Sequence, residues 1–337
     1  MALTERIEYI DALKGFAIIL VVIGHAIGWT FNDYVSICVY DVSQPVNIKV
    51  GGLLWQIIYS FHMGLFFMIS GYFLYKDEMP KFDSFLKKKS LRILLPYICT
   101  FSIIYFVEHV RGYWFLLSLF ELSIIGYLFI WMFKKCKRYK LWVEICTIII
   151  SFLLFRGLNG IKLGGVNIGE FSSYWIPFAL GILMRKYNSF YKICCYSDVF
   201  YTICVVGFVF LFSCRYFVYY SRIIETVYTY GDSLLQLFGA FAIWGLFAKI
   251  KESKIYMSRL SYIGKRTLPI YILHILFALH FYKVGQLLLC LDPVTSITLQ
   301  LTYLLVISII SIFWSLLIYK VLSKSSFLSM LMFGEKS

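Results

Sequence analysis

Charged residues are scarce in this chain, and acidic ones are the scarcest. Only 15% of the 337 residues are charged, and 18 Asp and Glu stand against 32 Lys and Arg. No polar stretch is long enough to fold as a soluble domain, and 61% of the residues are hydrophobic, where soluble domains have about 45–50%. The composition excludes a soluble globular protein and predicts one polytopic membrane domain over residues 1–337.

Paired cysteine motifs are also missing. The nine cysteines form no CxxC pair and no Cys/His spacing typical of a metal site, so we expect no metal. Cys38 and Cys290 are the two cysteines that we place in outer loops, and a disulfide between them is left open. A basic arm with interleaved aromatic residues is absent as well. The net charge of +14 therefore predicts membrane topology and no nucleic-acid partner.

Long apolar stretches are what the chain has in abundance. A helix needs about 20 apolar residues to cross the hydrocarbon core, and lipid offers no partner for unpaired backbone groups. We therefore predict an all-α fold, a polytopic transmembrane helical bundle of about ten spans. The predicted spans are 13–30, 52–75, 91–108, 113–133, 141–156, 173–184, 199–219, 232–249, 266–283 and 298–320.

The distribution of basic residues predicts the orientation of these spans. With the N-terminus in the cytoplasm, 25 of the 32 Lys and Arg fall on cytoplasmic segments and 7 fall outside, as the positive-inside rule requires. The sixth stretch is short and contains Pro177, but without it the basic segment 249–266 would lie outside. The first stretch is too long for a cleavable signal peptide. Both termini are therefore predicted to be cytoplasmic.

Four ionisable residues fall inside predicted spans at comparable depth. His25 lies eleven residues after Lys14, about 16 Å along a helix, and His62, Glu121 and His274 lie at similar depths on other spans. Ionisable groups in lipid are costly and are functional candidates by default. A carboxylate near a histidine would suit a general base, but a proton relay would use the same groups. Histidines satisfied by neighbouring helices are the third interpretation.

Basic residues gather at the predicted cytoplasmic ends of the first and third spans. Asp11 and Lys14 flank the first span, and the run 87–89 with Arg92 opens the third. These residues either anchor the topology or bind the phosphates of a cytosolic donor, since helix starts favour anions. Trp114 lies near the predicted outer surface, where it is either an aromatic belt residue or a stacking platform for a sugar.

Four motifs resemble the acyltransferase-3 family of membrane-bound O-acyltransferases, especially the branch similar to fucose 4-O-acetylase. The first is a basic residue followed by His eleven positions later, in "YIDALKGFAIILVVIGHA". The second is "FHMGLFFMISGYFL", and the third is the basic run into "LRILLPY" followed by "GYWFLLSLF". The fourth is "IGKRTLPIYILH". Together they cover most of the first 130 residues and 262–275, and the segment 135–260 carries no recognised motif.

The resemblance implies ten helices in a bacterial inner membrane, acetyl-CoA or another acyl-CoA as donor, and a hydroxyl of a surface glycan or lipid-linked sugar as acceptor. A homo-oligomer stays open, as does an acyl-enzyme intermediate. The resemblance and the predicted depths together give each candidate residue a role. The catalytic candidates are His25, His62 and Glu121; the donor-binding candidates are Lys14, Lys88, Lys89 and Arg92; the substrate-binding candidates are Trp114, His274 and Asp11.

Two other functions fit a polytopic protein with buried histidines. A transporter or flippase for a polysaccharide precursor would use them as a proton relay, although no internal repeat of the kind found in many transporters is visible. A polysaccharide polymerase would be polytopic without acyl-CoA, and large outer loops would then be expected. The pairing of Lys14 and Arg92 with His25 favours the acyltransferase.

Overall fold

The structure is a computed structural model of a helical membrane protein. It describes residues 8–31, 53–108, 114–135, 141–157, 162–163, 166–167, 170–217, 222–250, 254–277, 281–289, 291 and 293–335. Cys38 and Cys290, and most of the predicted outer loop 31–51, lie outside these residues. The disulfide between the two cysteines therefore stays a prediction.

Helices make up nearly all of the described chain. The elements of the first half are α1 (Glu8–Phe31), α2 (Leu53–Tyr59), α3 (His62–Leu74), α4 (Phe82–Lys89), a π-helical segment (Ser90–Leu94), α5 (Leu95–Glu108), α6 (Trp114–Lys135) and α7 (Leu141–Arg156). One antiparallel pair of two-residue strands follows, with β1 (Lys162–Leu163) against β2 (Val166–Asn167). A 3-10 turn, Glu170–Tyr174, leads into the second half.

The second half is helical throughout its described part. Its elements are α8 (Trp175–Lys186), α9 (Asn188–Tyr196), α10 (Asp198–Phe217), α11 (Arg222–Lys249), α12 (Lys254–Gly264), α13 (Thr267–Phe277), α14 (Tyr282–Leu289), α15 (Pro293–Leu322) and α16 (Ser326–Phe333). Pro177 occupies the first turn of α8, where the missing N–H costs no hydrogen bond. The prediction of an all-α fold is confirmed, apart from the one short strand pair.

Each of the ten predicted spans contains a helix, but not all of these helices are long. Among the described residues, four stretches are long and apolar enough to cross a membrane: Glu8–Phe31, Leu53–Leu74, Trp114–Lys135 and Ile297–Leu322. The pair α9 and α10, bent by 63°, makes a fifth if it is counted as one span. The protein is therefore a multi-pass membrane protein, and the count of ten spans stays a prediction.

The chain forms two compact units. The first comprises residues 1–65 and 195–320, and the second comprises residues 66–194 and 321–337. In the first unit α1 packs chiefly against α12, and also against α11, α13 and α14. In the second unit α6 packs against α4, α8 and the π-helical segment, and α16 packs against α5. The prediction of a single membrane domain is not decided by this division.

Glycines bring α1 and α12 into backbone contact in the first unit. A Cβ atom added to Gly264 would meet the backbone of Asp11 and lie 2.8 Å from the amide nitrogen of Gly15. A Cβ added to Gly15 would lie 2.9 Å from the carbonyl carbon of Leu260. Lipid tails provide no hydrophobic force between helices, so close backbone packing over small residues is what holds such helices together.

Replacing Gly264 with alanine is expected to destabilise the first unit. The new methyl group would meet backbone, which cannot rotate away, so α1 and α12 must separate at a cost of about 1–3 kcal/mol. Thermal unfolding of the purified protein measures this as a lowered Tm. Gly157→Ala is the control, because its Cβ would lie 3.4 Å from the nearest atom among the described residues, the carbonyl oxygen of Leu154. Equal Tm values for the two variants would contradict the prediction.

Candidate functional site

His25 lies six residues before the end of α1, with its ring half-buried in the first unit. Trp29 follows one helical turn later, and the two rings stack with centroids 5.1 Å apart and planes 13° apart. Residues four apart share a helix face, so this stacking is a local consequence of the sequence. It restricts the rotation of the imidazole.

A second histidine meets His25 from α13. The Nδ1 atom of His25 lies 2.7 Å from Nε2 of His274, a hydrogen-bonding distance. The ring planes differ by only 8° and the centroids are 5.0 Å apart, so the rings meet edge to edge in one plane. His274 is the hydrogen-bond partner of His25 among the described residues, whereas the sequence placed it among the substrate-binding candidates.

His274 is itself held from two sides. Its ring is fully buried, and its Nδ1 lies 2.9 Å from the carbonyl oxygen of Ile270, one turn earlier on α13. The Ser311 hydroxyl of α15 donates to the backbone carbonyl of His274 at 3.2 Å. Three helices, α1, α13 and α15, therefore fix the position of the two histidines.

His62 begins α3, directly after the break at Ser60 and Phe61. Its buried ring donates from Nδ1 to the carbonyl oxygen of Ile58 at 2.7 Å. The ring of Tyr59 lies edge-on at a centroid distance of 4.8 Å. A neutral imidazole that donates from Nδ1 has only a lone pair on Nε2. His62 can therefore accept a proton or a hydrogen bond, but in this form it cannot donate to an oxyanion.

Lys14 and Asp11 form an ion pair near the start of α1. The Lys14 ammonium lies 2.6 Å from Oδ1 of Asp11, a carboxylate that is almost fully buried. The spacing i, i+3 places both side chains on one helix face. The carboxylate of Asp11 therefore compensates the positive charge of Lys14.

The other predicted donor-binding residues lie in the second unit, where α4 runs into the π-helical segment. Pro96 of α5 lacks the N–H that would bond to the carbonyl of Arg92 in an α-helix, and its ring would clash there. The wider π turn over Ser90–Leu94 accommodates this proline. Segments of this kind are frequent at functional sites, and here Arg92 is exposed on it.

Two adjoining cavities open beside Arg92. One has a volume of about 470 Å³ and is lined by Ser84, Lys87, Lys88, Leu91, Arg92 and Gly334. The other has about 660 Å³, and its polar lining includes Lys76, Lys88, Lys89, Arg92 and the single carboxylate Glu78. Positive charge therefore exceeds negative charge in both cavities. No described carboxylate forms an ion pair with Lys87, Lys88, Lys89 or Arg92.

Burial and, after it, mutual repulsion both disfavour the protonated form of two of these lysines. Burial, followed by the charges of Arg92, Lys88 and Lys76, lowers the pKa of Lys89 to about 8. Burial and the same kind of repulsion also lower the pKa of Lys88. An anion bound between these residues would relieve the repulsion, so the cavities are suited to phosphate groups.

Gly334 closes the smaller cavity from the C-terminal side. It caps α16 in the left-handed conformation, with φ 63°, and its N–H donates to the carbonyl of Met330. A Cβ atom here would lie 2.5 Å from Cα of Arg92. Both the backbone conformation and this approach require glycine. Sequence reasoning missed Gly334, although a glycine directly after an apolar helix is a typical C-cap signal.

Trp114 and Glu121 lie on α6 of the second unit. The Trp114 ring is half-buried and packs on Tyr174, with centroids 5.4 Å apart, so one of its faces is already covered. Glu121 lies two turns further along, and its Oε2 is buried without a hydrogen-bond partner among the described residues. The candidate residues are thus divided, with His25, His62, His274, Lys14 and Asp11 in the first unit and the others in the second.

Comparison with known families decides the class of this site. The model of the acyltransferase domain, acyltransferase-3, matches residues 7–320. The chain belongs to the acyltransferase-3 family. The match includes every candidate residue except the cavity-lining Gly334. No curated protein and no solved structure matches the chain significantly.

Membership of the acyltransferase-3 family makes this protein a membrane acyltransferase. Acyl transfer needs a base for the attacking group and a place for the donor. The first unit contains the imidazoles of His25, His62 and His274, and the second contains the basic residues that line the two cavities. Ser311 and Ile270, which hold His274, were not singled out by sequence reasoning, because a serine or an isoleucine in an apolar span carries no signal of its own.

Proposed function

We propose that the protein transfers an acyl group, acetyl in the first instance, from cytosolic acyl-CoA to a sugar hydroxyl. The acceptor is a surface polysaccharide or its lipid-linked precursor, and the protein acts in the bacterial cytoplasmic membrane with ten spans and both termini inside. Family membership over residues 7–320 supports acyl transfer. The motifs shared with the fucose 4-O-acetylase-like branch support the choice of a sugar.

His25 is the proposed general base. The observation that carries this assignment is its hydrogen bond to His274, because an imidazole held at Nδ1 presents Nε2 to a substrate. His25 removes the proton of the acceptor hydroxyl while the hydroxyl oxygen attacks the acyl carbon of the thioester. The C–S bond breaks, and the thiolate of coenzyme A takes the proton from His25.

The donor phosphates are proposed to bind in the two cavities beside Arg92. Arg92 and Lys88 line both cavities and Lys89 lines the larger one, without a described carboxylate partner, and a guanidinium pairs well with phosphate. Cavities of about 300–1,000 Å³ are the usual size for small-molecule sites. Lys14 is assigned a structural ion pair with Asp11 in this proposal, since the carboxylate already compensates its charge.

The remaining candidates are proposed to contact the substrates. Nε2 of His62 accepts a hydrogen bond, because Nδ1 already donates to Ile58. The buried Oε2 of Glu121 accepts a hydrogen bond from a hydroxyl group. Trp114 offers its uncovered face to a sugar, a mode of contact that suits an amphipathic ring.

Release of coenzyme A by the purified protein tests the acyltransferase. The full chain in nanodiscs is given acetyl-CoA with and without a glycan extract of its host, and the product thiol is measured. Turnover that rises with the extract, and a mass increase of one acetyl group on a glycan, are expected. A transporter or flippase would release no thiol, and this outcome would overturn the proposal. Succinyl-CoA as a second donor tests the choice of acetyl.

A further inference from the structure

The proton positions along the histidine chain follow from its last member. The carbonyl oxygen of Ile270 can only accept a hydrogen bond, so Nδ1 of His274, 2.9 Å away, must carry a hydrogen. In a neutral imidazole the other nitrogen then has a lone pair. Nε2 of His274 is therefore an acceptor, and Nδ1 of His25, 2.7 Å from it, must be the donor.

The opposite arrangement of protons is unfavourable. If Nε2 of His274 donated to His25, a neutral His274 would turn the lone pair of Nδ1 towards the Ile270 carbonyl, and two acceptors would face each other. A doubly protonated His274 would avoid this clash, but it would place a cation in a fully buried position at membrane depth, where charge is costly. The neutral chain therefore has one consistent assignment, with Nε2 of His25 unprotonated.

The geometry of the pair supports this assignment. The nitrogen lone pair of an imidazole lies in the plane of the ring, and the two rings are within 8° of one plane. Trp29 stacks on one face of His25, and Ser311 holds the backbone of His274. The pair is thus oriented by contacts that need no bound substrate.

We propose that His274 is a positioning residue that sets the tautomer of His25 and thereby makes Nε2 the atom that takes the acceptor's proton. This inference rests on the proposed function, in which His25 is the base. When Nε2 of His25 takes the proton from the acceptor hydroxyl, the ring becomes a cation. Its Nδ1–H then makes a charge-assisted hydrogen bond to His274, which is stronger than the neutral one. Return of that proton to the thiolate restores the neutral chain.

Two variants of His274 differ only in where they place an acceptor. In His274→Gln the amide oxygen lies at the position of Nε2 and can accept from His25, whereas in His274→Asn the side chain is one methylene too short. We expect kcat within about tenfold of the wild type for glutamine and about 100-fold lower for asparagine, the lower end of the usual contribution of acid–base catalysis. The KM for acetyl-CoA should stay unchanged in both.

A spectroscopic measurement tests the tautomer without reference to activity. Full-length protein labelled with ¹⁵N-histidine has five histidines, and His25→Gln identifies the signals of His25 by their loss. We expect a protonated Nδ1 and an unprotonated Nε2 in the wild type and in His274→Gln. In His274→Asn the signals should show both tautomers.

The outcomes separate this inference from the proposed function. Equal kcat values for glutamine and asparagine, or a His25 tautomer that is the same in all three proteins, would overturn the role of His274 while turnover by the wild type leaves the acyltransferase intact. Absence of turnover in the wild type would overturn the proposed function, and the tautomer would still report on His274. Tm values of the variants show whether lost activity reflects unfolding.

Discussion

Alanine at position 25 is expected to lower the turnover of acetyl-CoA by about 10³-fold, within the 10²–10⁴ range of general-base catalysis. The half-buried imidazole of His25 is the proposed acceptor of the hydroxyl proton, and alanine has no atom that takes its place. Binding of the donor should be little affected, because the cations that line the cavities beside Arg92 lie on other elements. The loss should therefore appear in kcat and leave KM for the donor nearly unchanged.

The measurement compares His25→Ala with His25→Gln and with Thr298→Ala in nanodiscs. Glutamine preserves the size and polarity of the side chain but is not basic, so it should be as inactive as alanine. Thr298 is exposed on α15, and among the described residues its hydroxyl bonds to the carbonyl of Val294 on its own helix. That variant should keep the wild-type rate. If His25→Ala has the wild-type Tm and keeps more than a tenth of the wild-type turnover rate, another residue must be the base.

Replacing Arg92 with alanine is expected to raise the KM for acetyl-CoA by about 10- to 100-fold. A charge-assisted hydrogen bond contributes about 1.5–3 kcal/mol when it is well formed, and the exposure of Arg92 reduces this through screening by solvent. Arg92 does not take part in the proposed proton transfer, so kcat at saturating donor should change little. Lys192→Ala is the matched control, because Lys192 is exposed on α9 and lines neither cavity.

The dependence on salt and pH adds a second test of the same cavities. The affinity for acetyl-CoA should fall as salt concentration rises, less steeply in Arg92→Ala. Because the pKa of Lys89 is about 8 and phosphate binds its protonated form, donor affinity should be highest below that pH and decline above it. In Lys89→Arg the decline should disappear, since arginine stays charged. A wild-type KM for acetyl-CoA in Arg92→Ala would show that the donor phosphates do not bind in these cavities.

Length and hydropathy were enough to find every long apolar helix but not the short ones. Helices α4, α9, α12 and α16 lie outside the predicted spans or at their edges, because each has 8–11 residues. A helix that crosses the membrane needs about 20 apolar residues, so length and hydropathy do not reveal helices this short. The break at Ser60–Phe61 was also missed, because no glycine or proline marks it. The hydrogen bond from His62 to Ile58 spans that break.

The sequence singled out both His25 and His274 but not the contact between them. The positions of His25 and His274 in their spans indicated a similar depth, and depth alone leaves rotation about each helix undetermined. Their contact joins residues 249 positions apart, and it depends on how α1 packs against α13. The i, i+3 spacing of Asp11 and Lys14 is compatible with their ion pair, but the sequence interpretation assigned Lys14 to the donor and Asp11 to the substrate.

The hydrogen-bonded chain from His25 to the Ile270 carbonyl has a bioenergetic consequence. In the proposed mechanism it contains no net charge at rest, and each turnover returns the proton that it took. If donor and acceptor occupy opposite sides of the membrane, an acyl group moves outward while one hydrogen moves inward, and no net charge crosses. The membrane potential then does no work on the reaction. A protonophore that collapses the potential should leave glycan acylation running as long as the cell supplies acyl-CoA.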